Sequence, residues 1–305
     1  MKILLATLLL CSSALSFADS GQIASAYAVI PNSTYLTADG VDLKLDVYLP
    51  WSSVNSETKP KLKTVIFYHG GGWVAGSKEA SQLGVVPYLD KGWAAVNVQY
   101  RLGGTALAPA AVEDTRCALR WVINNADRYG FDADKIVLTG RSAGGHLSLI
   151  TGMLPADAGL DARCPVRKGG TGTDRAAGSL PNMRVAAIVN WSGITDVNDL
   201  IAGPNITSYA VAWLGAQTDR EDIARRVSPL THVDSDVPPI LTIHGDEDVI
   251  VPYEHAVRLH AALDDAGADN KLLTLEGREH FVDYTPEDNR AAYDAINAFL
   301  DEHVK

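Results

Sequence analysis

Cysteine and basic residues are scarce in this sequence of 305 residues. It has 3 cysteines, and its 26 Lys and Arg are outnumbered by 37 Asp and Glu, which gives a formal net charge of −11. This charge argues against nucleic acid or an anionic membrane surface as a partner. A neutral or sugar-rich substrate is easier to accommodate. No cysteine lies in a nucleophile or metal motif, so cysteine catalysis is not indicated.

Long hydrophobic runs are absent beyond the N-terminal residues, so the sequence predicts no stable membrane insertion. At the N-terminus, Lys2 precedes an apolar run from Ile3 to Leu10, and Ser16-Phe17-Ala18 offers small residues where a signal peptidase reads. We expect residues 1–18 to be a signal peptide and residues 19–305 to form a single domain, secreted or periplasmic. A membrane anchor is the alternative, but the apolar run is too short for it.

Export would leave two cysteines, Cys117 and Cys164, in an oxidising compartment. We expect them to form a disulfide, which would add about 4 kcal/mol on the chain-entropy model. The alternative is a pair of buried free thiols, because cysteine is often a core residue.

Strand-like and helical patterns alternate along the chain. Residues 41–50 alternate apolar and polar side chains, whereas residues 64–68, 94–98, 185–191 and 240–244 are continuous apolar runs. Helical patterns cover residues 109–128, 253–266 and 288–303. This alternation predicts an α/β fold with a mostly parallel sheet and helices on both faces. Residues 192–236 lack strand patterns and could form a small inserted lid, and residues 169–181 read as a surface loop rich in glycine.

The pattern around Gly140-Arg141-Ser142-Ala143-Gly144 predicts a nucleophilic serine. It follows the apolar run Ile136 to Leu138 and opens a helical pattern, which is the strand–turn–helix context of a G-x-S-x-G elbow. Both glycines are needed because so tight a turn presses them against the strand and the helix. An ordinary turn serine is the alternative, and the remaining residues must decide.

A nucleophilic serine needs a base and an orienting acid, expected in the order Ser, Asp or Glu, then His. His280 follows the strand pattern of residues 271–275 by a short loop, whereas we expect His255, His260 and His303 to be solvated surface side chains. Asp246, Glu247 and Asp248 compete for the acid. Spacing alone does not separate them well. We favour Asp248 because it lies where the loop turns into the next helix, and Asp246 is the alternative.

Backbone N–H groups for an oxyanion are expected from His69-Gly70-Gly71-Gly72-Trp73, directly after the strand of residues 64–68. The residue after the nucleophile, Ala143, would supply a further N–H group.

These two motifs together resemble the α/β-hydrolase superfamily, on its carboxylesterase and hormone-sensitive-lipase-like side. Three further segments narrow the resemblance to the bacterial bifunctional feruloyl and acetyl-xylan esterase group: Leu45-Asp46-Val47-Tyr48-Leu49-Pro50, Ser228-Pro229-Leu230-Thr231 and the run from His244 to Pro252. The similarity extends from about Thr37 to the C-terminus. It implies that Asp248 is the acid and that Gly71, Gly72 and Ala143 are the oxyanion donors.

Two residues are candidates for substrate binding. Trp73 could wall the acyl or sugar site, although a core position is at least as favoured. Arg141 stands where these relatives usually carry Asp, Glu, Gln or His. We favour a structural role in which it pairs a nearby carboxylate, over contact with a charged substrate group.

The sequence therefore predicts a serine esterase without metal or cofactor, because its histidines lack ligand spacing and it has no phosphate-cradling loop. The expected substrate is a small-molecule or polysaccharide ester, and the resemblance implies acetyl or feruloyl esters. A general short-chain carboxylesterase and an aryl amide or formamide hydrolase are alternatives. A catalytically silent binding protein is a distant one, because no member of the triad is missing. The oligomeric state is left open.

Overall fold

The computed structural model describes residues 26–54, 56, 58–155, 158–165, 182–281 and 283–305. Within them the chain forms eight strands: β1 (Tyr27–Ala38), β2 (Val41–Pro50), β3 (Leu62–Tyr68), β4 (Ala94–Val98), β5 (Phe131–Arg141), β6 (Ala187–Trp191), β7 (Ile240–Gly245) and β8 (Asn270–Leu275). All eight belong to one sheet in the order β1-β2-β4-β3-β5-β6-β7-β8. β2 is antiparallel to both of its neighbours, and the other pairs are parallel. The expected mostly parallel sheet is confirmed.

The described residues also form nine α-helices, which are α1 (Trp51–Val54), α2 (Val86–Leu89), α3 (Ala110–Asn124), α4 (Ala126–Tyr129), α5 (Ala143–Met153), α6 (Ser208–Leu214), α7 (Arg220–Arg226), α8 (Glu254–Ala266) and α9 (Pro286–His303). Helices α6 and α7 lie between β6 and β7, where the sequence predicted an inserted region.

The sheet is buried on both faces. Successive residues of β3 alternate between two apolar clusters, with Ile66 in one and Val65 and Phe67 in the other. The first cluster contains buried residues of α3, α5 and α8, and the second contains those of α2 and α9. Burial on both faces explains why the central strands are continuous apolar runs, without alternation.

Two elements differ from the sequence expectation. Strand β1 was not anticipated, because most of its residues are exposed or half-buried and its pairing with β2 shifts register twice, so no regular alternation survives. The helix expected over residues 109–128 is interrupted at Asn125, and α4 then ends at Gly130 with a left-handed φ of 78°.

The structure joins Cys117, on α3, to Cys164 in a disulfide with their Cα atoms 4.8 Å apart. The bond ties α3 to the segment that precedes the glycine-rich loop. That loop, residues 169–181, and the expected signal peptide, residues 1–18, lie outside the described residues. Among the helices that are described, none combines the length and apolar character needed to span a bilayer.

The carboxyl ends of the parallel strands meet at one edge of the sheet. The segments that follow β3, β5, β7 and β8 contain the glycine run, Ser142, Asp248 and His280, respectively. Open α/β sheets bind ligands at this edge, so the topology gathers residues as far apart in the sequence as Gly70 and His280.

Candidate active site

Ser142 occupies a strained turn between β5 and α5. Its φ of +56° and ψ of −121° are unusual for a residue with a side chain, and such conformations typically cost about 1–3 kcal/mol. The turn is held by the Ser142 N–H group, which donates to the carbonyl of Trp191 at 2.8 Å. A Cβ atom on Gly144 would lie 2.0 Å from the carbonyl oxygen of Tyr68. The glycine at this position is therefore dictated by close packing, as the sequence reasoning held.

Asp248 and His280 are hydrogen-bonded to each other across the loops after β7 and β8. His280 Nδ1 lies 2.6 Å from Asp248 Oδ2. The other carboxylate oxygen, Oδ1, accepts from the backbone N–H groups of Ile250 and Val251, both at 2.9 Å. Asp248 is only 5% exposed. This arrangement can hold an imidazole in one orientation and leaves Nε2 of His280 available for a proton transfer.

The elbow lies beside the histidine loop and the glycine run. The guanidinium of Arg141, the residue before Ser142, lies 5.4 Å from the ring centre of Phe281, the residue after His280. A Cβ atom built on Gly70 would be 3.6 Å from the Cβ of Ser142. The structure therefore places the elbow of Ser142 next to the loop of His280 and next to the glycine run.

His244 is a second histidine within hydrogen-bonding distance of Asp248, and the sequence reasoning missed it. Its Nε2 lies 3.1 Å from Asp248 Oδ2 and 3.0 Å from the carbonyl of Val251. Two acceptors surround this nitrogen, so we assign its proton there. The signal was a histidine at the end of a buried strand, just before the acidic loop.

The pKa of Asp248 is below its usual range. Burial alone would raise this pKa, but hydrogen bonds from His244 and His280, the charge of His280 and the backbone N–H of Val251 outweigh it. The carboxylate consequently stays ionised at neutral pH, as an orienting acid requires.

The glycine run forms a tight turn after β3. Gly71 and Gly72 have φ values of +117° and +58°, and the carbonyl of Gly71 accepts from the N–H groups of Val74 and Ala75. Among the described residues, the N–H groups of Gly71 and Gly72 donate to no partner. Ala143 is the first residue of α5, where an N–H group has no partner within the helix. These three N–H groups are available to an oxyanion.

Tyr209, on α6, covers the glycine run and was not anticipated. A Cβ atom on Gly72 would meet the Cβ of Tyr209 at 2.8 Å and its ring at 2.9 Å. The Tyr209 hydroxyl donates to the carbonyl of Ile250 at 2.9 Å, in the loop that carries Asp248. Burial, with a smaller contribution from the charge of Asp248, raises the pKa of Tyr209 to about 12.

Trp73 belongs to the core, which corrects its assignment as a substrate-binding candidate. The side chain is fully buried, and its ring stacks on Trp213 with centroids 4.2 Å apart. Its Nε1 donates to Nδ1 of His146 at 3.1 Å. The indole thus packs behind the glycine run and has no surface free for a substrate.

Arg141 does not pair a carboxylate within the described part of the chain, which corrects the expected ion pair. Its guanidinium instead lies 5.1 Å from the ring centre of Trp191, besides its contact with Phe281. Both contacts are cation–π interactions.

Two of the three histidines expected on the surface are buried. His255 Nδ1 accepts from the N–H of Thr195 at 3.1 Å, and burial lowers the pKa of His255 to about 4. His260 is 5% exposed and pairs with the side chain of Asn270. The expectation was wrong because a histidine on the inner face of α8 meets the core whatever its polarity. In the described residues, no group of three or more His, Cys, Asp or Glu could hold a metal ion.

Comparison with known proteins identifies the family. A family model described as BD-FAE matches residues 45–263. The chain belongs to the BD-FAE family. Curated relatives of this BD-FAE chain include two proteins of Mycobacterium tuberculosis (strain ATCC 25618 / H37Rv). Esterase LipC is 30% identical over 68% of the chain and 49% of its own length, and Esterase LipQ is 28% identical over 76% and 53%. The chain thus spans about half the length of these relatives.

Solved structures agree with this family assignment. A truncated carbohydrate esterase from gut microbiota matches with a TM-score of 0.70 and 29% identity, over 92% of this chain and 98% of that one. Thermogutta terrifontis esterase 2 phosphoramylated by tabun matches with a TM-score of 0.71 and 25% identity, over 91% and 94%. The expected α/β-hydrolase fold is confirmed, and both of these structural neighbours are esterases.

Proposed function

We propose that this protein is a secreted serine esterase that cleaves carboxylic esters through an acyl-enzyme, with acetyl or feruloyl esters on plant polysaccharide as its substrates. The observation that carries the proposal is the 2.6 Å hydrogen bond between the buried Asp248 and the half-buried His280, in a loop next to the elbow turn of Ser142. This combination is the arrangement that nucleophilic serine catalysis needs.

In the first half-reaction, Ser142 Oγ attacks the ester carbonyl while His280 Nε2 takes the hydroxyl proton. Asp248 holds the imidazole by its 2.6 Å hydrogen bond and stabilises the imidazolium. His280 then gives its proton to the departing alcohol, which leaves the acyl group on Ser142. A water molecule repeats the sequence and releases the acid.

The developing oxyanion would be bound by the N–H groups of Gly71, Gly72 and Ala143. The turn after β3 and the start of α5 fix the positions of these N–H groups in advance, so no rearrangement is required when charge develops. Losing one donor of this kind typically raises the barrier by about 3 kcal/mol.

The substrate assignment is supported by the carbohydrate esterase from gut microbiota, whose similarity spans 92% of the chain, and by an acidic chain that suits a neutral sugar polymer. One observation favours short-chain esters as a second candidate. A structure of the Thermogutta terrifontis esterase with propionate bound is 25% identical to this chain with a TM-score of 0.70.

Export is supported by the leader pattern of residues 1–18 and by the Cys117–Cys164 disulfide, a bond that persists in oxidising compartments. N-terminal sequencing of protein recovered outside the cytoplasm should begin at Asp19. Protein retaining Met1 would contradict export by this route.

The test of the activity is a substrate panel on the purified protein beside Ser142→Ala, with the exposed Ser235→Ala as the matched control. The panel contains p-nitrophenyl acetate, butyrate and octanoate, methyl ferulate and acetylated xylan. Release of ferulate or xylan acetate by wild type and Ser235→Ala, with loss in Ser142→Ala, supports the proposal. Cleavage of small nitrophenyl esters alone favours the second candidate. Equal inactivity of the folded proteins would refute the mechanism.

A further inference from the structure

Arg141 is a charged side chain without a charged partner beside the proposed nucleophile. Among the described residues it makes no salt bridge within 4.0 Å and no side-chain hydrogen bond, and it is only partly exposed. Other inward-facing arginines are neutralised: Arg101 meets Asp114 at 2.7 Å, and Arg120 pairs with Asp161. Arg141 instead rests between two aromatic rings, which orient a guanidinium without neutralising it.

Two buried hydroxyl groups accompany it, and neither meets a partner in good hydrogen-bond geometry among the described residues. They are Oγ of Ser192 and the phenol of Tyr284. Each hydroxyl lies on a residue that adjoins one of the two aromatic rings in contact with the Arg141 guanidinium. Ser192 follows Trp191 directly and has a φ of +43°, and the Tyr284 ring packs edge-on against Phe281 at 5.5 Å.

The three groups act on one another electrostatically. Burial raises the pKa of Tyr284 to about 12 and the charge of Asp248 adds to the rise, whereas hydrogen bonding with Ser192 and the charge of Arg141 oppose part of it. The two carboxylates whose charges act on Tyr284, Asp248 and Asp283, already accept hydrogen bonds from other groups. Asp248 accepts from two histidines and two backbone N–H groups, and the exposed Asp283 accepts from the N–H of Glu279.

A guanidinium offers donors only, and hydroxyl groups can donate as well. Buried hydroxyl groups without a well-aligned partner cost free energy, and a hydrogen bond to an ionised acceptor offsets that cost best. A carboxylate fits this donor set, because its two oxygens match the planar fork of an arginine. The site adjoins the reacting centre, since the carbonyl of Trp191 also holds the N–H of Ser142 at 2.8 Å.

We propose that Arg141, Ser192 and Tyr284 form a carboxylate-binding subsite, so that the preferred esters carry a carboxylate near the scissile bond. This inference rests on the proposed ester hydrolysis. With the carboxylate on the alcohol side, it narrows the substrates to esters of acidic sugars such as uronic acids. With the carboxylate on the acyl side, half-esters of dicarboxylic acids take the place of acetyl and feruloyl esters. The carboxylate could belong to the acyl or the alcohol side of the ester, and the test separates the two.

Two matched substrate pairs test it. On the acyl side, p-nitrophenyl hydrogen glutarate is compared with the neutral p-nitrophenyl valerate. On the alcohol side, acetylsalicylate is compared with its methyl ester. In Arg141→Met, the charged-to-neutral ratio of kcat/KM for one pair should fall about tenfold or more, through KM. In Arg141→Lys this ratio should fall less, because lysine keeps the positive charge but lacks the planar fork of a guanidinium. The exposed Arg225→Met changes the net charge equally and should leave the ratio unchanged.

An unchanged ratio in Arg141→Met, or an equal fall in Arg225→Met, overturns the proposal. Equal loss of kcat on charged and neutral esters overturns it too, and makes Arg141 a positioning residue for the loop of His280. If wild type cleaves no ester at all, the proposed function fails. The subsite is then judged by calorimetry with glutarate, which should bind wild type and not Arg141→Met, and absence of binding to wild type refutes it.

Discussion

At the scale of single residues, the surroundings of Asp248 separate it from two neighbouring carboxylates of the same loop. Asp246 and Glu247 are exposed, whereas Asp248 is buried and receives hydrogen bonds from His244, His280 and two backbone N–H groups. Asp246 accepts only from the N–H of Gly277. These contacts make Asp248 the one carboxylate that can orient His280.

Asp248→Asn should lower kcat on p-nitrophenyl acetate by about three to four orders of magnitude, because an amide cannot hold His280 in the required tautomer. Asp246→Asn is the matched control and should stay within about threefold of wild type, since its partner lies outside the reacting groups. Steady-state kinetics with circular dichroism to verify folding would measure both. Comparable losses in the two variants would contradict the assignment of Asp248.

Residue type alone predicted the nucleophile and the base but not the surroundings of Trp73 or His255. The backbone geometry of the elbow tolerates few residue types at fixed positions, so the motif can be recognised from the sequence. Burial of one aromatic or imidazole ring depends on what packs against it, and Trp213 meets Trp73 from 140 positions away. No local pattern carries that information.

At the scale of elements, Tyr209 links α6 to two catalytic loops. Its ring covers Gly72, and its hydroxyl reaches the carbonyl of Ile250, two residues beyond Asp248. The inserted segment between β6 and β7 thereby supports both the glycine run and the acidic loop. Continuous apolar runs predicted the strands around it, but nothing in the pattern of α6 indicated which side chain would face the site.

Tyr209→Phe should keep kcat on p-nitrophenyl acetate within about threefold and lose about 1 kcal/mol of stability with its hydrogen bond. Tyr209→Ala should lower kcat about tenfold or more, because removing the ring leaves the Gly72 N–H group less firmly oriented. Kinetics and urea unfolding on the two variants provide the measurements. Full kcat in Tyr209→Ala would show that the ring does not support the oxyanion site.

The disulfide also links two elements, α3 and the segment at Cys164. Its 47-residue separation predicts that Cys117→Ala with Cys164→Ala lowers the free energy of unfolding by about 4 kcal/mol. Urea unfolding of the double variant would measure this loss, with the reduced wild-type protein as its control. Two free thiols titrated in the oxidised, folded protein would contradict the bond.

At the scale of the whole molecule, the fold buries histidines in their neutral form. Nδ1 of His146 accepts from Trp73, and its Nε2 lies 2.7 Å from the carbonyl of Val227, so a second ring proton has no acceptor. Burial lowers the pKa of His146 and of His255 from 6.5 to about 4. Burial also lowers the pKa of His69 and His260.

The free energy of unfolding should therefore decrease as the pH falls from about 6.5 to about 4, by up to about 3 kcal/mol for each of His146 and His255. The sign follows because the unfolded chain binds these protons in this window, whereas the folded protein does not. Above about pH 7 these residues should contribute no slope. Urea unfolding at a series of pH values would measure the curve. A stability that stays constant down to pH 4.5 would contradict the neutral, buried state.

The sequence by itself determined the order of the strands from β2 onward and of the longer helices, the elbow at Ser142, the glycine run and the loop positions of Asp248 and His280. Each of these depends on local geometry: a buried strand needs apolar residues, and a tight turn needs glycine at fixed spacing. Only the tertiary structure decided that His244 shares Asp248, that Trp73 is core, that Tyr209 covers Gly72 and that Arg141 lies between aromatic rings. Those facts depend on contacts between segments far apart in the chain, which the sheet brings to one edge and which no spacing in the sequence encodes.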